Sequence, residues 1–111
     1  MYLLDEATLE RNEKLVEELK DMLIKNKLFS NVRIYFNNKY ISEDKEKEDV
    51  DVKKYLEYCN PKTVSMTFEG SLYEIINYSG GKIVRELEAL FNKYNLYSEL
   101  GYAWSLSLYD N

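Results

Sequence analysis

The chain has 111 residues, of which 45% are hydrophobic and 32% charged, and its net charge is −5 at pH 7. The length fits one domain, residues 1–111, and the composition is that of a globular rather than a disordered protein. One cysteine, Cys59, and no histidine exclude an internal disulfide, a Ser-His-Asp triad and the usual cysteine or imidazole metal sites. We therefore expect no cofactor, no metal and no enzymatic activity.

Three cellular roles are also disfavoured. No apolar run approaches the roughly 20 residues that span a bilayer, and residues 1–6 lack the basic region and apolar core of a signal peptide. These features predict a cytoplasmic protein without a membrane partner. Lys and Arg form no cluster in the sequence, so direct nucleic-acid binding is not expected.

The first predicted element is a helix over residues 5–26, which Asp5 or Thr8 can cap. A recurrence at three- and four-residue spacing marks one helix face. The residues in this rhythm are Leu9, Asn12, Leu15, Val16, Leu19, Met22 and Leu23. Alternating apolar and polar residues then predict strands over residues 32–36 and 39–42. Asn37-Asn38 suits the two-residue turn of a hairpin between them.

Residues 43–51 read EDKEKEDVD, with six acids and two lysines, and predict a solvated loop. Asp51 is the expected cap of a short helix that Pro61 stops, since Val52, Tyr55, Leu56 and Cys59 repeat helically. Residues 63–69 alternate as a strand.

The last third of the chain predicts two helices and a strand. Ser71 and Glu74 fit a capping box at the start of a helix that runs to about residue 78. After Ser79-Gly80-Gly81, a helix is expected over residues 82–94 and a strand over residues 97–109, bent or hairpinned at Gly101. Leu100, Tyr102, Trp104, Leu106 and Leu108 are expected on one face of this strand.

The resulting order is α-β-β-α-β-α-α-β. This order predicts an α+β fold in which a mostly antiparallel, twisted sheet of about four strands has its helices packed on one face.

Three motifs suggest chemistry, and each also has a plain structural explanation. Ser79-Gly80-Gly81-Lys82 precedes a helix, where free N–H groups can hold a phosphate, but it lacks P-loop spacing. Glu69 and Glu74 flank a turn where paired carboxylates can divide acid and base roles. The acidic loop offers oxygen ligands to Ca²⁺ but lacks the EF-hand pattern. For Ser79–Lys82 we favour a turn between two helices, and for Glu69 and Glu74 we favour chance proximity. For the acidic loop we favour a solvated loop.

Eleven tyrosines are the most suggestive feature, because tyrosine is enriched at protein interfaces. Tyr35, Tyr97 and Tyr109 are expected on strand faces opposite the apolar stripes; Tyr40, Tyr55, Tyr58 and Tyr78 are expected to be half exposed. The alternative is that most of them cover the edge of the core. The C-terminal strand is a candidate sheet edge, which can pair with a second copy or a partner strand. The predicted partner-binding residues are Glu43, Asp44, Glu46, Glu48, Asp49, Asp51, Tyr35, Tyr40, Tyr97 and Tyr109.

Residues 66–77 (MTFEGSLYEIIN) and 96–106 (LYSELGYAWSL) resemble small proteins carried by phages and mobile elements of low-GC Gram-positive bacteria. In size, acidity and tyrosine content the chain is also similar to anti-CRISPR proteins. This resemblance implies a stoichiometric inhibitor without cofactors that docks on a nuclease. These inhibitors share no motif, so no residue role is carried over.

The sequence therefore predicts a non-catalytic protein-binding module, most specifically a phage-encoded inhibitor whose acidic, tyrosine-rich surface docks on a nucleic-acid-handling host protein. The alternative is a homo-oligomeric structural or regulatory protein, for example a homodimer.

Overall fold

The computed structural model describes residues 2–79 and 81–111. The helices are α1 (Glu6–Lys25), α2 (Ser71–Glu74), which continues as a π-helix (Ile75–Ser79), and α3 (Gly81–Lys93). The strands are β1 (Val32–Phe36), β2 (Lys39–Ser42), β3 (Glu46–Lys47), β4 (Ser65–Phe68), β5 (Leu96–Leu100) and β6 (Ser105–Asp110). The predicted α+β class is confirmed.

The described strands form one antiparallel sheet of six, in the order β3-β2-β1-β4-β6-β5. The prediction of about four strands is wrong in two places. The acidic loop contains β3, and the C-terminal segment, counted as one strand that is either bent or hairpinned at Gly101, takes the hairpin alternative and forms the two strands β5 and β6. The C-terminal strand β6 is therefore internal, and β5 is the sheet edge. One end of the sheet is thus formed by β5 and the other by β3.

The main core lies between the helices and one face of the sheet, as the predicted packing on one face requires. Alternate residues of a strand point to the same face, so that the strands other than β3 contribute side chains to the core at every second position. The helical residues buried here include Leu15, Leu19, Leu23, Leu87 and Phe91, and the strand residues include Ile34, Met66, Phe68, Leu106 and Leu108.

The opposite face of the sheet is covered in part by residues 49–62. Val50, Val52 and Leu56 are buried against Tyr35 and Tyr40 in a second, smaller cluster. The predicted short helix after Asp51 is wrong: only a 3₁₀ turn, Val52–Lys54, forms, with Asp51 as its N-cap. Packing of Val52 and Leu56 on the sheet satisfies the apolar spacing that suggested a longer helix.

Two predicted local motifs have opposite outcomes. Asn37 and Asn38 both have positive φ, 51° and 59°, as the two-residue hairpin turn requires. The Ser71–Glu74 capping box is wrong, because Gly70 (φ 70°) is the N-cap of α2 and no side chain caps this helix. Of the Ser79-Gly80-Gly81-Lys82 turn, Gly80 lies outside the described residues.

Candidate protein-interaction surface

The predicted partner-binding residues lie in separate parts of the sheet. The acidic residues lie in β3 or beside it at one end, whereas Tyr97 and Tyr109 pair across β5 and β6 at the other. Five strand steps of about 4.8 Å separate β3 from β5, which is about 24 Å. The acidic and aromatic residues therefore form two surfaces rather than one.

The acidic surface is mostly open to solvent. Its exposed carboxylates are Glu43, Asp44, Glu46, Glu48 and Asp49. Asp51 differs, because it is half-buried and accepts hydrogen bonds from the Tyr2 hydroxyl (3.1 Å) and the backbone N–H of Lys53 (3.1 Å). Asp51 therefore has a structural role, which leaves five carboxylates available to a partner.

Tyr35 and Tyr40 are buried, each only 3% exposed, so the expectation that Tyr40 is half exposed is wrong. Their rings lie 5.5 Å apart, and the Arg33 guanidinium lies 4.1 Å from the centre of the Tyr40 ring. Tyr55 closes the other side of this group, with its ring centre 5.9 Å from the guanidinium.

The chain's own arginine therefore fills the space between these three rings, an arrangement stabilised by cation–π attraction. Arg33 also donates a hydrogen bond to the Tyr35 hydroxyl, 3.1 Å away. Burial raises the pKa of Tyr35, which keeps the phenol neutral. Tyr35 and Tyr40 thus hold the second cluster together and offer almost no area to a partner.

Among residues 2–79 and 81–111, the largest group of accessible aromatic side chains lies on and beside the β5–β6 hairpin. Tyr97 lies opposite Tyr109, as predicted on the face away from the helices, with the ring centres 5.9 Å apart. At the hairpin end, Tyr102 stacks on Trp104 with centres 5.0 Å apart and 12° between the planes. Tyr58 reaches the same group from residues 49–62, with its ring 5.5 Å from Tyr102. We call these five residues the aromatic surface.

Local backbone contacts hold the hairpin end in place. The N–H of Gly101 donates to the carbonyl of Ser105, and the Ser105 hydroxyl accepts from the N–H of Tyr102 at 3.0 Å. Asn77, in the π-helix, donates its side-chain amide to the carbonyl of Ala103 at 2.8 Å. The turn that presents Tyr102 and Trp104 is therefore fixed from both sides.

Two carboxylates accompany the aromatic surface. Glu57 accepts a hydrogen bond from the Tyr102 hydroxyl, and this bond raises the pKa of Tyr102. Glu99 lies on the same face of β5 as Tyr97, between Tyr97 and the hairpin end. Four residue steps of extended chain, about 13 Å, separate Tyr97 from Gly101, so Glu99 stands between the two aromatic groups.

The rings of this surface are accessible for contact with another molecule. Tyr58, Tyr97, Tyr102 and Trp104 are 52%, 40%, 38% and 39% exposed, and such side chains supply much of the binding energy at protein interfaces. Cys59 lies nearby, but burial raises the pKa of its thiol and so reduces the thiolate that acts as nucleophile.

Within residues 2–79 and 81–111, no group of three His, Cys, Asp or Glu residues is placed to hold a metal ion. Over the same residues, no helix has both the length and the apolarity needed to cross a bilayer.

The sequence predicted Tyr97 and Tyr109 but missed Tyr58, Tyr102, Trp104 and the accompanying glutamates. Residues 97–109 were interpreted as one strand face, in which Tyr102 and Trp104 continue the apolar stripe. Gly101 predicts a hairpin as the alternative to a bent strand, but Tyr102, Ala103 and Trp104 are not typical turn residues, so the exposure of these two rings in the turn is not predictable from the sequence.

Comparison of the chain with protein-family models, with curated proteins and with solved structures finds no match.

Proposed function

We propose that the protein is a non-catalytic binding module that docks its aromatic surface on a partner protein. The observation that carries this proposal is the clustering of four aromatic residues of the β5–β6 hairpin, Tyr97, Tyr102, Trp104 and Tyr109, with Tyr58 beside them. Four of the five side chains are more than a third exposed. Large aromatic rings give contact area at low cost in rotamer entropy. Partial exposure of such rings in the unbound protein is compensated when a partner covers them.

Charge favours a partner with a basic surface. Glu57 and Glu99 stand among the aromatic rings, the acidic surface lies at the far edge, and the net charge is −5. Complementary charge increases the association rate and selects the partner. A nuclease or another nucleic-acid-handling protein presents such a basic groove, and the resemblance to phage-borne inhibitors supports the same proposal.

Capture from a low-GC Gram-positive lysate tests the proposal when two matched variants accompany the wild-type bait. Trp104→Ala removes the stacked ring of the aromatic surface. Tyr78→Ala is the control, because Tyr78 is 74% exposed but lies on the π-helix outside this surface. We expect a nucleic-acid-handling protein to be retained by wild type and by Tyr78→Ala, and to be lost from Trp104→Ala.

The measured affinity for the retained protein gives the size of the effect. Removal of a central aromatic anchor costs about 2 kcal/mol or more, roughly a 30-fold weaker Kd. Retention should also decrease as salt is raised, because complementary charges are screened. Equal retention by all three baits, or retention only of partners without a basic surface, argues against the proposal.

A further inference from the structure

The two edges of the sheet are built differently. At one edge, β3 has two residues, Glu46 and Lys47, and both are charged and exposed. At the other edge, β5 has five residues with one charge, Glu99, and no Pro or Lys. Short length and charge are the usual protection against pairing with a further strand. The β3 edge has this protection and the β5 edge lacks it.

The hydrogen bonds of the hairpin define which groups of β5 face outward. The carbonyl of Asn95 accepts from the N–H of Asn111, and the N–H of Gly101 donates to the carbonyl of Ser105, each at 3.1 Å. Because antiparallel pairing alternates, odd-numbered residues of β5 bond to β6, and Leu96, Ser98 and Leu100 direct their backbone groups away from it.

The outer side of β5 is open over only part of its length. Leu96 is fully buried, whereas Leu100 is 53% exposed and Ser98 is half-buried. In the described part of the chain no strand pairs with this side of β5. The accessible backbone groups are therefore those of Ser98 and Leu100.

A groove runs beside this open edge, between α3 and β5. Two adjoining hollows of about 190 and 150 Å³ share Glu88, Phe91 and Ser98. Val84, Leu87 and Leu100 line the larger hollow. A strand added at β5 directs every second side chain to the helix side of the sheet, so its residues opposite Ser98 and Leu100 enter this groove. Apolar side chains fit that lining.

On the added strand, the residue between these two apolar positions points to the other face of the sheet. It lies opposite Glu99, with Tyr97 on one side and the hairpin-end rings on the other. A Lys or Arg at this position meets both a carboxylate and aromatic rings. A second copy paired in the open register, Ser98 with Leu100, places Glu99 directly opposite Glu99, which is unfavourable.

We propose that the β5 edge binds an extended segment of the partner protein in which a Lys or Arg stands between two apolar residues. This inference rests on the proposed function. It specifies which type of partner segment binds at the aromatic surface and the neighbouring β5 edge. The main-chain groups of Ser98 and Leu100 supply affinity, the groove selects the apolar residues, and Glu99 selects the basic one.

Synthetic peptides test the inference directly by titration into ¹⁵N-labelled protein. The probe is a nine-residue peptide with a central Val-Arg-Val, and its matched control has Val-Glu-Val. We expect the first to shift the amide signals of Ser98, Leu100 and Val84, with a Kd at least about five-fold lower than that of the control, as opposite rather than like charges across two strands imply. Equal affinity for both peptides, or no shifts at β5, overturns the inference.

Two variants test whether the peptide pairs with the β5 edge and whether the charge of Glu99 selects its basic residue. Ser98→Pro removes an outward N–H, which an edge strand tolerates, and should weaken the Val-Arg-Val peptide at least about ten-fold while the rest of the spectrum is retained. If Ser98→Pro perturbs folding, Glu99→Lys decides: it should reverse the preference, so that Val-Glu-Val binds more tightly. An unchanged preference in Glu99→Lys contradicts the inference.

Failure here is distinguishable from failure of the proposed function. A lysate protein that is lost from Trp104→Ala but bound equally by wild type and Ser98→Pro leaves the aromatic surface as the binding site and removes the strand-addition proposal. Light scattering tests whether a second copy of the chain occupies this edge. A wild-type dimer that Ser98→Pro converts to a monomer would show such pairing and overturn the inference.

Discussion

The side-chain amide of Asn12, on α1, donates to the side-chain carbonyl of Asn37, 3.0 Å away in the turn between β1 and β2. The same amide donates to the backbone carbonyl of Lys62 at 3.2 Å, and Arg11 donates to the Asn12 carbonyl. Asn37 in turn donates to the carbonyl of Leu9 at 3.1 Å. One fully buried side chain therefore links the first helix, the hairpin turn and residues 49–62.

Asn12→Ala should lower the free energy of unfolding by about 2 kcal/mol, because the carbonyls of Asn37 and Lys62 then lose a buried donor. Urea unfolding followed by circular dichroism measures this value. Glu10→Ala is the matched control, since Glu10 is exposed on the same helix and should change stability by less than about 0.5 kcal/mol. Similar losses in both variants would show that the buried network contributes nothing specific.

Lys27→Gly should stabilise the protein. Lys27 follows the C-cap of α1 with φ 58°, and the N–H groups of Lys27 and Leu28 donate to the carbonyls of Ile24 and Leu23. This is the Schellman arrangement, in which glycine is preferred at the left-handed position.

The expected gain for Lys27→Gly is about 1 kcal/mol in the free energy of unfolding, because glycine relieves the left-handed strain. Lys27→Ala is the control and should give less than half of that gain, since alanine keeps a Cβ in the same conformation. Thermal or urea unfolding compares the two, and an equal effect of glycine and alanine would rule out backbone strain as the cause.

The contact between α1 and α3 predicts a dependence of stability on pH. Glu18 accepts hydrogen bonds from Lys93, at 2.7 Å, and from the Tyr94 hydroxyl. Both bonds lower the pKa of Glu18, and the bond from Lys93 has the larger effect. The bond to Glu18 raises the pKa of Tyr94 from 10.0 to about 12.

The sign of each contribution follows from these directions. A raised folded-state pKa makes the Tyr94 contribution complete below pH 10 and lost as the pH rises towards about 12, because the unfolded chain releases its proton first. The Glu18 contribution is present above its unfolded-state pKa, near 4.5, and is lost as the pH falls through its lower folded-state value.

Between pH 10 and pH 12, the free energy of unfolding should therefore fall less in Tyr94→Phe than in wild type. In Glu18→Gln it should fall less both in this range and at acid pH. The difference between each variant and wild type, measured by urea unfolding across pH, isolates these groups from the other tyrosines. Both effects should stay within about 1 kcal/mol, since the contact is largely exposed. Parallel pH profiles for wild type and Tyr94→Phe would contradict the assignment.

Most of the elements with strong periodicity were predictable from sequence. The spacing of Leu15, Leu19 and Leu23 gave α1 within a residue at each end, and the alternation from Val32 to Phe36 gave β1. The positive φ of Asn37 and Asn38 followed from turn chemistry. These features depend on residues close together in the chain, so local pattern suffices to predict them.

The features that were missed depend on contacts between distant residues. The strand β3 consists of Glu46 and Lys47, which carry no apolar pattern and form a strand only because β2 offers a free edge. The burial of Tyr40 results from its packing with Arg33 and with the apolar residues of segment 49–62, which an alternating sequence does not show. Likewise, the site at the hairpin end exists because residues 49–62 bring Tyr58 beside Tyr102, 44 positions later.

Gly101→Ala tests whether this close approach positions the aromatic surface. A Cβ at Gly101 would lie 3.0 Å from the Cβ of Tyr58 and 3.3 Å from its backbone carbonyl. Residues 49–62 must shift to accept a methyl group there, so we expect a loss of about 1–2 kcal/mol in the free energy of unfolding. The displaced Tyr58 ring should then separate from Tyr102, and binding of any partner that covers both rings should weaken.

Two measurements separate the stability effect from the binding effect. Urea unfolding gives the loss of stability, and the ring-proton chemical shifts of Tyr58 and Tyr102 report the distance between the rings. Ala103→Gly is the control, because Ala103 lies in the same turn and is exposed, and it should leave the ring shifts of Tyr58 unchanged. If Gly101→Ala retains wild-type ring shifts and stability, the contact between residues 49–62 and the hairpin does not position the aromatic surface.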